Sequence, residues 1–262
     1  MKSKTHLEQK GFTIVELITV MAVTLVLMGM IVTFTIDYWG NSANIQADLQ
    51  TFNSRLNAQD QLRQLISASD GLIIQNSIAD LHTLDADPAI PSGQYWLPIH
   101  AIPGNTTMGS SGTIKPILYF RRPSQNTSHT IVYNGTVTYD DEYVLYLDGS
   151  RQALMLRTLA NPNVVNNIAK TSCPPALASS SCPSDKTVID NLSSVDMRYF
   201  SRSGNTIDWT SVYDSLNSTY AGPDYPLVEA VEFTLHESAK AQFHGVNNAS
   251  NITVIRIALL NI

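Results

Sequence analysis

The feature that most constrains this chain is an uncharged apolar run near its N-terminus, with one glutamate at its head. The run from Leu17 to Ile36 contains twenty residues and no charge. Twenty helical residues at about 1.5 Å each span a hydrocarbon layer of about 30 Å. Glu16 precedes the run, and a carboxylate in hydrocarbon costs about 2.5 kcal/mol or more. The sequence therefore predicts a membrane-spanning helix and a partner for the charge of Glu16.

The residues before the run are basic, since Lys2, Lys4 and Lys10 stand against the single acidic residue Glu8. Basic flanks stay in the cytoplasm, so we expect the chain after the run to lie outside it. A secretory signal peptide would have a shorter apolar core and a small-residue cleavage site, whereas 37–40 reads Asp-Tyr-Trp-Gly. The aromatic pair in this stretch is typical of a membrane interface.

The stretch Gly11-Phe12-Thr13-Ile14-Val15-Glu16-Leu17 resembles the processing signal of type IV pilins and type II secretion pseudopilins. The resemblance implies that a prepilin peptidase removes the leader 1–11 by cutting between Gly11 and Phe12, and then methylates the new amine of Phe12. It further implies that the partners are other pilins or pseudopilins and an inner-membrane assembly platform with its ATPase. Before assembly the partner is membrane lipid.

Glu16 occupies the acidic position of that signal. Cleavage would create a positive amine on Phe12, one helical turn away, and residues four apart are neighbours on a helix. The pair can form within one chain or between neighbouring chains, where weak screening lets it set the register of stacked helices. The alternative is that Glu16 only extends to the headgroups near the helix end.

The amphipathic pattern continues beyond the apolar run. Ile45, Leu49, Phe52 and Leu56 recur at steps of four and three, and Leu62, Leu65 and Ile66 follow before a stop at 67–71. We expect one helix from Phe12 to Ile66, about 80 Å long, with a possible flexible joint at Gly40 and Asn41. Residues 12–36 would lie in membrane or filament core. Residues 37–70 would lay one apolar face on an extracytoplasmic globular domain, 71–262.

In the rest of the chain, apolar and polar residues alternate as they do in β-strands. The predicted fold class is therefore α+β, with an antiparallel sheet packed on the second half of the helix. Asn134-Gly135 predicts a two-residue hairpin turn. Asp85–Ser92 and Gly104–Gly112 are predicted loops. The predicted strands are Ile114–Phe120, Thr130–Tyr133, Thr136–Tyr139, Tyr143–Leu147, Ala153–Leu159, Val195–Phe200, Val228–His236 and Ile252–Leu260.

The later half is also similar, more weakly, to the large minor pilins and pseudopilins of the PilW and PulJ type. The similar stretches are Val188–Leu192, Val195–Tyr199 with Trp209, and the closing pair Val228–Phe233 and Ile255–Asn261. Alternating strands of this kind match many proteins, so the N-terminal resemblance carries the family assignment.

Composition bounds the remaining possibilities. A net charge of −6 and a pI near 5.4 argue against nucleic acid as a partner. Cys173 and Cys182 lack the spacing of a zinc or redox motif, so we expect a small disulfide-closed loop in an oxidising compartment. The alternative is two unpaired surface thiols.

We predict no catalytic residue, no metal and no cofactor. Asp140-Asp141-Glu142 is the densest acidic cluster, with Asp85 and Asp87 as a second pair. Clustered carboxylates can bind calcium, but neither stretch has a full loop signature, and a solvated turn is favoured. The scattered histidines lack metal-ligand spacing, and no nucleophile motif is present.

The first functional hypothesis is a structural subunit, a minor pilin of a type IV pilus-like filament, which leaves the cytoplasmic membrane for an extracellular or periplasmic filament. A pseudopilin of a type II secretion system is one alternative. A tip adhesin is another, with its binding face in the loops between Gly71 and Gly112 and in the cysteine loop. A membrane-anchored enzyme has no candidate cluster.

Overall fold

The computed structural model describes residues 13–72, 78–80, 95–96, 106–107, 114–208, 227–237 and 252–259. The chain divides into two compact units. One comprises residues 1–51 with 241–246, and the other comprises residues 52–240 with 247–262. Predictions that concern Asp85–Ser92, most of Gly104–Gly112, or Trp209 lie outside the described residues.

The long helix α1 spans Ile14–Ser67, 54 residues without interruption, and it is unbroken at Gly40. Threonine hydroxyls inside its apolar part are satisfied by the carbonyl four residues earlier, as in Thr24 to Val20 at 2.7 Å. The helix ends where Ser69 donates its amide and its hydroxyl to the carbonyl of Ile66, at 3.0 and 2.6 Å. Such bonds satisfy carbonyls that a helix end leaves without partners.

Two antiparallel sheets follow the helix, in contrast to the single sheet that the sequence predicts. Sheet 1 has the strand order β1-β5-β8-β9-β10, and sheet 2 has the order β12-β11-β13-β14, with β4 also paired to β11. The strands of sheet 1 are β1 Gly71–Leu72, β5 Ile114–Pro123, β8 Asp140–Asp148, β9 Ala153–Leu159 and β10 Lys186–Ile189. The strands of sheet 2 are β4 Thr106–Thr107, β11 Leu192–Phe200, β12 Thr206–Ile207, β13 Ala230–Glu237 and β14 Ile252–Ala258.

Two short ribbons complete the described elements. They are β2 Ile78–Ala79 with β3 Tyr95–Trp96, and β6 Tyr133–Asn134 with β7 Val137–Thr138. The second ribbon forms a hairpin where one is predicted, but its two-residue turn is Gly135 and Thr136, one residue later than predicted, because Asn134 belongs to β6 and pairs with Val137. Gly135 turns the chain with a φ of 65°, which glycine adopts without a Cβ penalty. The α+β class is confirmed. The predicted loop Gly104–Gly112 is wrong at its described residues, which form β4.

The core of the second unit joins both sheets to the end of α1. Ala58, Leu62 and Ile66 of the helix are at most 1% exposed and belong to one buried cluster with residues of both sheets. Every residue of β8 from Tyr143 to Leu147 is buried, which shows that sheet 1 is covered on both faces. Arg55 links the helix to the end of β13, because its Nη2 donates a hydrogen bond to Glu237 Oε2 at 2.7 Å.

The apolar positions in the second half of α1 differ in burial. Leu62 and Ile66 are buried and Leu65 is half-buried against the core, as expected. The preceding members are exposed by 44–60%: Ile45, Leu49, Phe52 and Leu56. A rotation of about 100° per residue places these four roughly a third of a turn away from the buried face. Within the second unit, Phe52 and Leu56 therefore lie on an apolar stripe that is exposed among the described residues.

Candidate functional site

Thr13 and Glu16 cap the N-terminus of α1 through hydrogen bonds that each makes to the other. The amide and the hydroxyl of Thr13 donate to Glu16 Oε2 at 2.9 and 3.0 Å. In return the amide of Glu16 donates to Thr13 Oγ1 at 3.3 Å. This is a capping box, in which Thr and Glu three residues apart satisfy amides that the helix leaves unpaired. Glu16 thus has a local role in starting the helix, which the sequence reasoning missed although Thr-x-x-Glu signals it.

The other carboxylate oxygen of Glu16 is available. Among the described residues no hydrogen bond reaches Oε1, and both bonds from Thr13 go to Oε2. Gly11 and Phe12, the predicted cleavage site, lie outside the described residues. Thr13 follows Phe12 in the sequence, so the capping box begins one residue after the predicted new N-terminus.

The helix behind this cap is apolar and exposed. Its large apolar residues from Ile14 to Ile36 are 53–77% exposed, with Leu25 at 71%. By length and composition, α1 is able to cross a membrane, and none of its most apolar window is buried in the protein. Tyr38 and Trp39, 65% and 72% exposed, follow the apolar run, where an interface would be expected. These features fit anchoring in a membrane before assembly.

Cys173 and Cys182 form a disulfide with Cα atoms 5.5 Å apart, and the bond closes a loop with a sequence separation of 9. The chain on each side of the loop is aligned by backbone bonds. The amide of Cys173 donates to Pro183 at 2.7 Å, and the amide of Asp185 donates to Cys173 at 2.7 Å. The disulfide thus fixes the segment that leads into β10.

Near the disulfide loop, Arg157 is fully buried and forms ion pairs with the carboxylates of Asp80 and Asp185. Its Nε and Nη2 donate to the two oxygens of Asp80 at 2.8 and 2.7 Å, and its Nη1 donates to Asp185 Oδ1 at 3.2 Å. Ser172 and Tyr146 also donate to Asp185, at 2.6 and 2.7 Å. Burial and the neighbouring Asp185 carboxylate raise the pKa of the Tyr146 hydroxyl, which stays a donor. The network ties the strand β9 to the segment near Asp80 and to the base of the disulfide loop.

The acidic cluster 140–142 begins β8 and is not a solvated turn, which corrects that prediction. Asp141 is 3% exposed and accepts the amide of Asn161 at 2.8 Å and Asn167 Nδ2 at 2.7 Å. Partial burial raises the pKa of Glu142, and Asp140 adds to the effect. Among the described residues, no group of three or more Asp, Glu, His or Cys side chains could hold a metal ion. Asp85 and Asp87 lie outside them.

Comparison with known proteins identifies the N-terminal segment. A family model, the prokaryotic N-terminal methylation motif, matches residues 8–32. No curated protein matches the chain. The matched residues contain the capping box and most of the apolar run, and they support pilin, methylation and membrane assignments. The similarity to the PilW and PulJ type has no such support. The motif spans 25 of the 262 residues, and it indicates a processed subunit like those of type IV pili or pseudopili.

Proposed function

We propose that the chain is a minor subunit of a type IV pilus-like filament, cleaved between Gly11 and Phe12, methylated on Phe12, and assembled through α1. The observation that carries the proposal is the methylation motif at 8–32 on a helix whose apolar surface is exposed. Exposed apolar surface of this extent needs lipid or protein around it. Membrane lipid covers it first, and helices of neighbouring subunits cover it after assembly.

Glu16 has two roles in this proposal. Oε2 caps the helix through Thr13, and Oε1 accepts the methylated amine of Phe12, from its own chain or from a neighbour. The ion pair neutralises a carboxylate that would otherwise be costly in hydrocarbon. A pair between chains requires the amine of one subunit to lie at the depth of Glu16 in its neighbour, so the pair also sets the axial register of adjacent helices.

Two substitutions separate these roles. Glu16→Gln keeps a capping acceptor, since Gln also serves in a capping box, but it removes the charge. Thr13→Ala removes the cap, at a cost of about 1 kcal/mol, and keeps the charge. In sheared filaments we expect Glu16→Gln to be depleted at least tenfold, which corresponds to about 1.4 kcal/mol of assembly free energy. Thr13→Ala should enter filaments at a level much closer to that of the unsubstituted chain.

Processing is tested independently by mass spectrometry of the N-terminus of the assembled protein. The expected species begins at Phe12 and carries one additional methyl group. Residues 1–11 still attached in assembled material would contradict the proposal. Equal incorporation of Glu16→Gln and the unsubstituted chain would contradict the ion pair and leave the capping role intact.

The location of the filament decides between the two systems that share the motif. Filaments recovered from the medium after shearing indicate a pilus. Recovery only from the periplasm, with loss of protein secretion when the chain is deleted, indicates a pseudopilus of a secretion system.

A further inference from the structure

The dipeptide Asn-Gly occurs once in the chain, at Asn134-Gly135. The backbone nitrogen of the residue after an asparagine can attack the side-chain amide of that asparagine. Glycine in the second position leaves the approach open, because it has no Cβ and its backbone rotates freely. In the fold, β6 ends at Asn134, and the turn to β7 begins at Gly135. The most reactive pair of this kind therefore lies at a hairpin turn.

The side chain of Asn134 is exposed and has no bonding partner. Both residues of β6 are exposed, and among the described residues no hydrogen bond is made by the side-chain amide of Asn134. The turn itself is also uncovered, since a Cβ added to Gly135 would meet no described atom within 4 Å. Water therefore reaches both residues that take part in the reaction.

The hairpin that holds Asn134 is small. Its ladder consists of two residue pairs, Tyr133 with Thr138 and Asn134 with Val137. Ring closure requires the backbone of Asn134 to leave the extended conformation of β6, so the hairpin must open first. A two-stranded hairpin is marginally stable by itself, and such elements open locally at little cost in free energy. The fold therefore restrains Asn134 only weakly.

Asn126, eight residues earlier, shows the opposite situation. Its Oδ1 accepts the amides of Ser128 and Thr130 at 3.0 and 3.1 Å. The amide of the next residue, Thr127, donates to the carbonyl of Asn166 at 3.0 Å. Both the side chain and the attacking nitrogen are therefore engaged, and the fold holds them apart.

Asn191 is restrained in the same way. Its Nδ2 donates to Asp190 Oδ1 at 3.0 Å, and the amide of the next residue, Leu192, donates to the carbonyl of Gln152 at 2.8 Å. The fold thus protects these two asparagines and leaves Asn134 open to reaction.

We propose that Asn134 deamidates spontaneously in the folded chain. The nitrogen of Gly135 forms a bond to Cγ of Asn134, the bond between Cγ and Nδ2 breaks, and ammonia leaves with the proton of the Gly135 amide. Water then opens the cyclic imide at either carbonyl, which gives aspartate or isoaspartate at position 134. The reaction needs water alone, and it does not depend on cleavage, methylation or assembly.

The product differs from the starting hairpin in charge and in chain length. Either product adds one negative charge to a chain whose net charge is −6. Isoaspartate also adds one carbon to the main chain, so the pair of Asn134 with Val137 cannot keep its register. Deamidation therefore alters the end of the hairpin irreversibly.

The test incubates the full chain in detergent at weakly alkaline pH and follows position 134 by mass spectrometry of its peptides. A synthetic peptide of residues 130–139 gives the rate without the fold. We expect the folded chain to react within about tenfold of the peptide rate, which corresponds to about 1.4 kcal/mol for opening the hairpin. The rate should rise with pH, because the attacking nitrogen must lose its proton. Asn126 in the same sample should stay intact.

The matched control variant is Asn134→Gln, which keeps an exposed side-chain amide but places it one carbon farther from the attacking nitrogen. Its position 134 should stay unmodified over the same time. Size-exclusion chromatography after the incubation separates folded from unfolded chains. An intact Asn134 in the full chain after the peptide has reacted completely would overturn the proposal. So would conversion confined to unfolded chains, or conversion of Asn126 as fast as Asn134, since either result would show that the fold does not select the site.

Discussion

The first half of α1 and the folded second unit have opposite patterns of burial. In the helix, Leu25 is 71% exposed, and its apolar neighbours are similarly uncovered. In the second unit, Arg157 is fully buried, and Asp80 and Asp141 are at most 4% exposed. Apolar residues normally fill the inside and charged residues the outside. In this chain, apolar residues are exposed in the first half of α1 and charged residues are buried in the second unit, and the two exceptions have different causes.

The difference shows which part of the molecule is complete by itself. The buried charges of the second unit have partners within it, with donors and acceptors matched around Arg157. The apolar residues in the first half of α1 are exposed, and under the proposed function lipid or neighbouring subunits cover them. The second unit is therefore the place where substitutions should change the stability of the fold, whereas substitutions in the helix should change assembly.

The largest expected effect comes from removing the buried cation. Arg157→Leu leaves Asp80 and Asp185 buried without their cation, and the loss of one member of a buried ion pair costs about 3–5 kcal/mol. We expect a fall of this size in the free energy of unfolding, measured by denaturant titration of the full chain in detergent.

The matched control for Arg157 is Arg151, half-exposed and paired with Asp148 at 3.8 Å. Exposed pairs contribute about 0–1 kcal/mol, so Arg151→Ala should cost far less. Equal effects of the two substitutions would show that the buried network does not stabilise the unit more than a surface pair does.

A comparison of two leucines tests the reversal of burial directly. Leu118 of β5 is fully buried, and Leu118→Ala should destabilise the second unit by about 3 kcal/mol through lost contacts and a cavity. Leu25→Ala, made at a site 71% exposed, should leave the unfolding midpoint unchanged. A comparable loss of stability in Leu25→Ala would mean that the first half of the helix belongs to the cooperative fold.

The disulfide is expected to contribute somewhat less. Closing a loop with a separation of 9 constrains the unfolded chain by about 2.5 kcal/mol in the loop-entropy model. Replacement of Cys173 and Cys182 by Ala should lower the stability by that amount. In the Arg157→Leu background the same replacement should cost measurably less, because the disulfide and Arg157 both hold the segment at Asp185. Strict additivity would show that the two are independent.

The parts of the fold that the sequence predicts well are those with a local signal. Alternation predicted β9 with the observed bounds, Ala153–Leu159. Asn134-Gly135 predicted a hairpin at the right place, with its turn one residue too early. The strand Lys186–Ile189 was missed because it is short and depends on its pairing with β9. Lys186 pairs with Leu156, which lies 30 residues earlier in the sequence. Pairing at such a distance leaves no local pattern.

The candidate sites divide in the same way. The processing motif and the Thr13 to Glu16 capping box lie within a few residues and are readable from the sequence. The network at Arg157 is not, because its carboxylates are 77 and 28 residues away. The exposed stripe at Ile45 and Leu49 shows the limit of periodicity, since an apolar helical stripe predicts that a face is covered but not what covers it.

The smallest expected effect concerns the carboxylates where α1 ends. Desolvation and the Asp140 carboxylate beside it raise the pKa of Asp70 above its ordinary value of 3.8, so the folded state holds the proton more tightly than the unfolded state. Stability from this site is present below pH 3.8 and is lost as the pH rises through the raised pKa. Asp70→Asn should therefore raise the free energy of unfolding by about 0.5 kcal/mol at neutral pH and leave it unchanged in acid. The expected effect is small because solvent screens the charge of a carboxylate that is largely exposed. Asp60→Asn on α1 removes the same charge and reports the effect of net charge alone. Unfolding midpoints of the two variants and the unsubstituted chain across the acid range measure the difference, and a gain for Asp70→Asn that persists unchanged below pH 3.8 would contradict this account.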